Sequence, residues 1–287
     1  MNTQTHPLDT IRCSICPHSC RLRAGKVGIC GAREAQGDKI VPLNYGRSTA
    51  LALDPIEKKP LACYLPGSKI LSYGSYGCNL GCSFCQNWKI AQILPTAAPR
   101  SEYISPEVLV RQAQALRPQG NIGIAFTYNE PLICPEYLLD VAELAHAQDL
   151  KIVLVTNGYV MGEVAEQVFA VTDAANIDLK AFHQDFYTEV GAPAGLATVK
   201  RTIQTALSAG CHVEVTTLIV PGLNDSPEEM AEEAAWLASL NRDIPLHINR
   251  FSPAYQMMDS TPTPRGTLDS LALVAREHLS RVFIGNV

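Results

Sequence analysis

The chain has 287 residues, 47% of them apolar and 18% charged, with 28 acidic against 23 basic side chains for a net charge of −5. That length suits one large α/β domain, alone or with a small module, and the acidic balance argues against a nucleic-acid partner, which needs a basic face. No apolar run follows Met1 as a secretory signal would require, and the uncharged stretch 70–88 carries Asn79, Gln86 and Asn87, polarity that a membrane span excludes, so a soluble cytoplasmic protein is expected.

Residues 1–40 are cysteine-rich and basic with little periodicity, and read as a small module held by metal. Cys13-x2-Cys16-x3-Cys20-x9-Cys30 supplies four thiolates, enough to close a tetrahedral site. The first pair has the spacing of zinc ligands, so zinc is expected there. The alternative is a second cubane iron–sulfur cluster passing electrons inward, since cubanes also take four cysteines. Residues 41–68 contain Pro42, Pro55, Pro60 and Pro66 and are expected to form an extended connector lying on the main domain. Cys134 and Cys211 stand alone, as buried small hydrophobes do, and so does Cys63.

From residue 69 to 287 short β-rich runs alternate with helical patterns. The expected strands are 69–73, 122–126, 151–155, 175–179, 212–220 and 245–248, with a last one at 281–284. Between them, Leu138, Val141, Ala142 and Ala145 share one helical face. Ser226-Pro227-Glu228-Glu229 and Ser105-Pro106-Glu107 have the look of helix starts, with Pro at the first helical position. About 25–30 residues per strand–helix unit implies right-handed βαβ crossovers and a parallel sheet. Six units suit either an open doubly wound sheet or an incomplete βα barrel.

Polar or metal-binding residues follow every strand: Cys78, Cys82 and Cys85 after the first, Asn129 and Glu130 after the second, and Asn157 after the third. Asp178 and Lys180 lie on the fourth, Asn224 and Asp225 past the fifth, and His247, Asn249 and Arg250 on the sixth. In parallel βα folds, ligands bind at the carboxyl ends of the strands. Cys78-x3-Cys82-x2-Cys85 suits a cubane iron–sulfur cluster with three thiolates and one open iron, and Gly77 and Gly81 let the backbone approach closely. Zinc competes for the same trio, although a structural zinc wants a fourth ligand and a catalytic one usually includes His.

Cys78-x3-Cys82-Ser83-Phe84-Cys85 resembles the signature of the radical S-adenosylmethionine (SAM) superfamily. The strings Asp54-Pro55-Ile56-Glu57-Lys58-Lys59-Pro60, Cys85-Gln86-Asn87-Trp88, Tyr128-Asn129-Glu130-Pro131 and Arg250-Phe251-Ser252-Pro253-Ala254-Tyr255 resemble its pyruvate formate-lyase-activating-enzyme-like subgroup. So does the closing Ile284-Gly285-Asn286-Val287, and together these point to the radical SAM enzymes of the AmmeMemoRadiSam system. The resemblance implies a partial (β/α)6 TIM-like barrel over 69–287, a [4Fe-4S] cluster on Cys78, Cys82 and Cys85, and SAM chelated to the open iron. An external electron donor such as flavodoxin or ferredoxin is implied, and so is reductive cleavage of SAM to a hydrogen-abstracting radical.

The same resemblance assigns Asn129 and Glu130 to the methionyl ammonium and Phe84 to the adenine. Asn157 and Lys180 are assigned to the ribose or methionyl carboxylate, and Val220, Pro221 and His247 to the adenine-side wall. Where many relatives read Gly-Gly-Glu, this chain reads Tyr-Asn-Glu-Pro, so the ammonium contact rests chiefly on Glu130. The substrate, protein or small molecule, is not legible. An activase acting on a partner protein needs an open rim, and a small-molecule enzyme wants a closed pocket. An electron carrier would place a cysteine on every iron, and a zinc hydrolase would need no iron.

Overall fold

From residue 50 onward, alternating apolar residues build one eight-stranded sheet in the computed structural model, which describes residues 10–93 and 98–287. The first nine residues of the expected cysteine-rich module lie outside the described residues. The strands are β1 (Ala50–Pro55), β2 (Lys69–Gly74), β3 (Asn121–Phe126), β4 (Lys151–Thr156), β5 (Ala174–Asp178), β6 (His212–Ile219), β7 (Leu246–Arg250) and β8 (Val282–Gly285). They are laid side by side in chain order. Strands β2 to β8 are parallel, and β1 runs antiparallel to β2 at the edge. Among the described residues β1 and β8 do not pair, so the α/β barrel is partial and open.

Helices make the six crossovers: α1 (Pro106–Ala115), α2 (Pro135–His146), α3 (Gly162–Phe169), the pair α4 (Gln184–Glu189) and α5 (Gly195–Ser208), α6 (Pro227–Leu240) and α7 (Arg265–Arg276). Two start where the sequence marks a start. Ser105 accepts the Val108 N–H ahead of Pro106, and Ser226 accepts the Glu229 N–H ahead of Pro227. Each hydroxyl satisfies an orphan helix donor, a contribution of about 1 kcal/mol.

Because side chains alternate across a strand, each strand presents two faces. Leu71, Ile124, Leu154 and Ile177 share the main core with Leu109, Val141, Val168 and Ile203 of the helices. Ile70, Ala125, Val153 and Ala174 form a second core that Ile56 and Leu61 plug from the β1–β2 connection. Fully burying one such aliphatic side chain contributes about 1.5–3 kcal/mol.

The stretch expected to be a connector therefore does more than lie on the barrel. Ala50-Leu51-Ala52-Leu53-Asp54 pairs residue for residue with β2. Pro55 is tolerated because β1 is an edge strand. Just before it, Asp54 accepts hydrogen bonds from Lys58 (2.8 Å), Lys59 (2.9 Å), Ser72 (2.8 Å) and Tyr128 (2.6 Å). The Lys59 ammonium is buried, 4.6 Å from the centre of the Tyr128 ring.

The N-terminal module consists of two hairpins, Ile11–Arg12 with Arg21–Leu22 and Arg33–Gln36 with Lys39–Pro42. Arg33 ties it to the barrel by a forked pair with Glu136, at 2.7 and 3.0 Å, and by a bond to the Ile133 carbonyl at 3.0 Å. Among the described residues no helix is long and apolar enough to cross a membrane.

Candidate active site

The carboxyl ends of the strands enclose a cavity of about 250 Å³. The loop after β2 brings Cys78, Cys82, Phe84 and Cys85 to it. Thr127, Tyr128, Asn129 and Glu130 come from the end of β3, and Thr156 and Asn157 from the end of β4. Asp178, Lys180, Leu218, Asn249 and Asn286 complete the wall from the remaining strands.

The cysteine loop is bent around one glycine. Gly77 has φ +88°, and a β-carbon there would stand 2.6 Å from the Cys30 carbonyl oxygen and 2.9 Å from the Ala32 side chain. Only glycine accepts both that backbone and that approach. Cys78 Sγ accepts the Leu80 N–H at 3.4 Å and the Asn157 side-chain amide at 3.6 Å. Burial pushes all three thiols up, Cys82 to about 11, while the Lys180 ammonium draws Cys82 and Cys85 back down.

The donor set fits a cubane. All three cysteines are free thiols on one cavity. Thiolate is the ligand of choice for iron–sulfur clusters, and a coordinating metal deprotonates a thiol outright. Among the described residues no three His, Cys, Asp or Glu side chains converge on the spacing of a single ion. One zinc, with sulfur bonds of about 2.3 Å, needs that convergence. A four-iron cluster spreads its thiolates over separate corners.

Glu130 sits beside this loop, 2% exposed. One oxygen accepts from Leu132 N–H (2.9 Å) and the Thr156 hydroxyl (2.6 Å), and the other accepts from Asn157 N–H (2.8 Å). A carboxylate offers about four acceptor positions, so one is left for a ligand. Burial raises its pKa to about 7 against the pull of those three donors.

The other predicted residues divide. Phe84 packs against Phe186. Lys180 pairs with Asp178 at 2.7 Å; burial opposes its charge, but Asp178 and the neighbouring thiols hold its pKa well above the usual lysine range. The Asn157 amide bonds Asn79 at 2.9 Å as well as the Cys78 sulfur. Asn129 lines the cavity, but its side chain is spent on backbone. It accepts Ser75 N–H at 2.9 Å and donates to the carbonyls of Tyr76, Gly77 and Glu130, each at 3.2 Å. Its role in this structure is to hold the loop.

Val220, Pro221 and His247 do not reach the cavity wall. Val220 is buried and donates its N–H to Asn224 at 2.7 Å, and Pro221 follows it, half-buried. His247 bonds the buried Glu214 at 2.6 Å and stacks on Phe283. Asn249, two residues on along the same face of β7, is the one that lines the cavity. Tyr128 and Asn79 also went unassigned. Tyr128 lines the cavity in the left-handed region, at φ +73°, and Asn79 is a buried loop residue between two cysteine groups. Neither carries a spacing signal.

The sequence over residues 72–234 matches the family model described as the Radical SAM superfamily. The chain belongs to the radical SAM superfamily. It is 38% identical over 279 residues to an uncharacterized protein of Methanocaldococcus jannaschii, covering 96% of this chain and 81% of that one. It is 27% identical over 164 residues to the pyruvate formate-lyase-activating enzyme of Clostridium pasteurianum, covering 55% of this chain and 65% of that enzyme. The radical SAM methyltransferase of Sphaerobacter thermophilus shares the fold at a TM-score of 0.56 and 16% identity, over 77% of this chain and 67% of that one. Membership in this family implies a [4Fe-4S] cluster and SAM.

Proposed function

We propose that the protein cleaves SAM reductively and uses the resulting radical to take a hydrogen atom from a substrate. The observation that supports this most is the single cavity on which three free thiols and the buried Glu130 carboxylate meet. When bound, the cluster supplies one electron to the SAM sulfonium, releasing methionine and a 5′-deoxyadenosyl radical.

The chain's own residues bind and orient. Cys78, Cys82 and Cys85 hold three irons and leave the fourth to the SAM amino and carboxylate groups. The free acceptor position of Glu130 takes the methionyl ammonium as a charge-assisted bond. Lys180, charged and close to Cys82, faces the carboxylate, with Asn157 beside it. Phe84 offers backbone and ring to the adenine. Tyr128, Leu218 and Asn249 line the same cavity and confront the substrate.

A substrate that is itself a protein, as for an activase, is the second reading. It is favoured by the likeness to the Clostridium pasteurianum activating enzyme. The electron comes from a flavodoxin or ferredoxin. Ten free cysteines suit a reducing compartment, and cytoplasm is the proposed location. Zinc and a second cubane both suit the thiols of Cys13, Cys16, Cys20 and Cys30.

The test is anaerobic reconstitution with iron and sulfide, then dithionite and SAM. Formation of 5′-deoxyadenosine supports the proposal, and its absence from cluster-loaded protein sinks it. A single-electron carrier would bind no SAM at all.

A further inference from the structure

We propose that residues 252–262 form a strap that gates the cavity, and that the stack of Tyr255 on Trp88 is the latch that holds it shut. This rests on the function proposed above and goes beyond it in naming how SAM is admitted and retained.

The strap joins two parts of the cavity wall that no strand pairing joins. Among the described residues β1 and β8 do not pair, so the sheet does not close on itself. The strap leaves the carboxyl end of β7 just past Asn249, which lines the cavity. It reaches across to the cysteine loop that follows β2. Its partners there are Ser83, between Cys82 and Phe84, and Trp88, next to Asn87. Cys82, Phe84 and Asn87 all line the same cavity.

The strap is firm at its root and lightly held at its tip. Thr263 closes the root. Its N–H donates to the Phe251 carbonyl at 3.2 Å, and its carbonyl accepts Arg250 Nε at 2.9 Å. Its hydroxyl accepts the Phe251 N–H at 3.1 Å and donates to the Ile219 carbonyl at 2.6 Å. At the tip, Gln256 donates its N–H to the Ser83 carbonyl at 2.9 Å, and Met257 rests on the main core. The Tyr255 and Trp88 rings stack with centroids 5.3 Å apart and planes at 20°. Trp88 is 37% exposed and Met258, beside the tip, is 65% exposed, so the latch lies at the surface.

The latch also holds strain. Tyr255 sits at φ +52°, in the left-handed region, where the β-carbon crowds the backbone and bulky residues are rarely found. Such strain persists at clamps and switches only where surrounding contacts hold it. Parting the two rings lets the Tyr255 backbone relax, which offsets part of what opening costs. A segment with a buried root and few contacts at its tip opens locally while the barrel stays folded. Shut, it sequesters the reaction from water; open, it lets SAM pass.

Hydrogen–deuterium exchange tests the latch without any chemistry. In Trp88→Ala the Gln256 amide should exchange several-fold faster than in wild type, with the barrel strands unchanged. Trp88→Phe keeps a ring to stack and should restore slow exchange. Tyr255→Gly removes the other ring and suits the left-handed backbone, so it serves if Trp88→Ala fails to fold. Equal exchange in wild type and variant would overturn the latch. Stopped-flow mixing of SAM with anaerobic, cluster-loaded protein tests the gate, and the association rate should rise several-fold in the same variants. Weaker SAM binding at an unchanged association rate would make the stack a brace for the cysteine loop and overturn the gate. Absence of SAM binding by cluster-loaded wild type would instead strike the proposed function, and the exchange result would still decide the latch.

Discussion

The concave face of the barrel is polar at two levels, for opposite reasons. At the upper level, the carboxyl ends of the strands present groups with bonding capacity to spare: three free thiols, one acceptor position on Glu130, and Asn249 on the wall. At the lower level, polar groups satisfy one another. Asp54 takes four donors, including the buried Lys59. Glu214 takes His212, His247 and the backbone of Ala62 and Cys63, and its pKa falls to about 2: burial would raise it, but these donors more than offset that. The upper level waits for ligands, and the lower one closes the barrel floor. Loss of a group above should change chemistry, and loss of a group below should change stability.

The largest effect expected is at the cysteine loop. Cys82→Ala should lose about four irons, all SAM-dependent EPR change and all 5′-deoxyadenosine formation, with the fold retained by circular dichroism. Retention of SAM cleavage would break the division between levels at its strongest point. Next comes Asp54→Ala, which leaves the buried Lys59 ammonium without its partner. It should destabilise the protein by about 3–5 kcal/mol in anaerobic urea unfolding.

Glu130→Gln should weaken SAM binding while keeping the cluster. A hydrogen bond to a charged group contributes about 1.5–3 kcal/mol, or roughly ten- to a hundredfold in Kd. The pH dependence sharpens this. The ammonium needs the ionised carboxylate, and burial raises the Glu130 pKa to about 7. Below that pH a proton must leave before SAM binds, so affinity should fall about tenfold for each further pH unit. Titration of SAM from pH 8 to 5.5 checks this, and Glu130→Gln should flatten the profile. The smallest effect is expected at the lower level, from His247→Leu. It removes one of the four groups bonded to Glu214 and should cost about 1–3 kcal/mol of stability while leaving the SAM Kd unchanged.

That last pair shows what the sequence can and cannot reveal. Seven parallel strands were legible because each is a short apolar run between turn residues, and their ends, where the site lies, followed from chain direction. Depth along a strand was not legible. His247 and Asn249 share a face, and what separates their levels is the partner each meets, the buried Glu214 for His247 and the cavity for Asn249. Strand β1 was hidden by its one proline, since the Pro55 that argued for a connector sits where an edge strand tolerates it. Asn79 was hidden for a different reason: its partners lie on three separate segments, at His18, Tyr159 and Asn157.

The central claim is an open iron held by three thiolates and reserved for SAM. EPR of the reduced, reconstituted protein tests it most directly, recorded before and after addition of SAM. The account predicts that SAM shifts the g-values of the cluster on Cys78, Cys82 and Cys85. An unchanged spectrum from cluster-loaded protein at saturating SAM would contradict it.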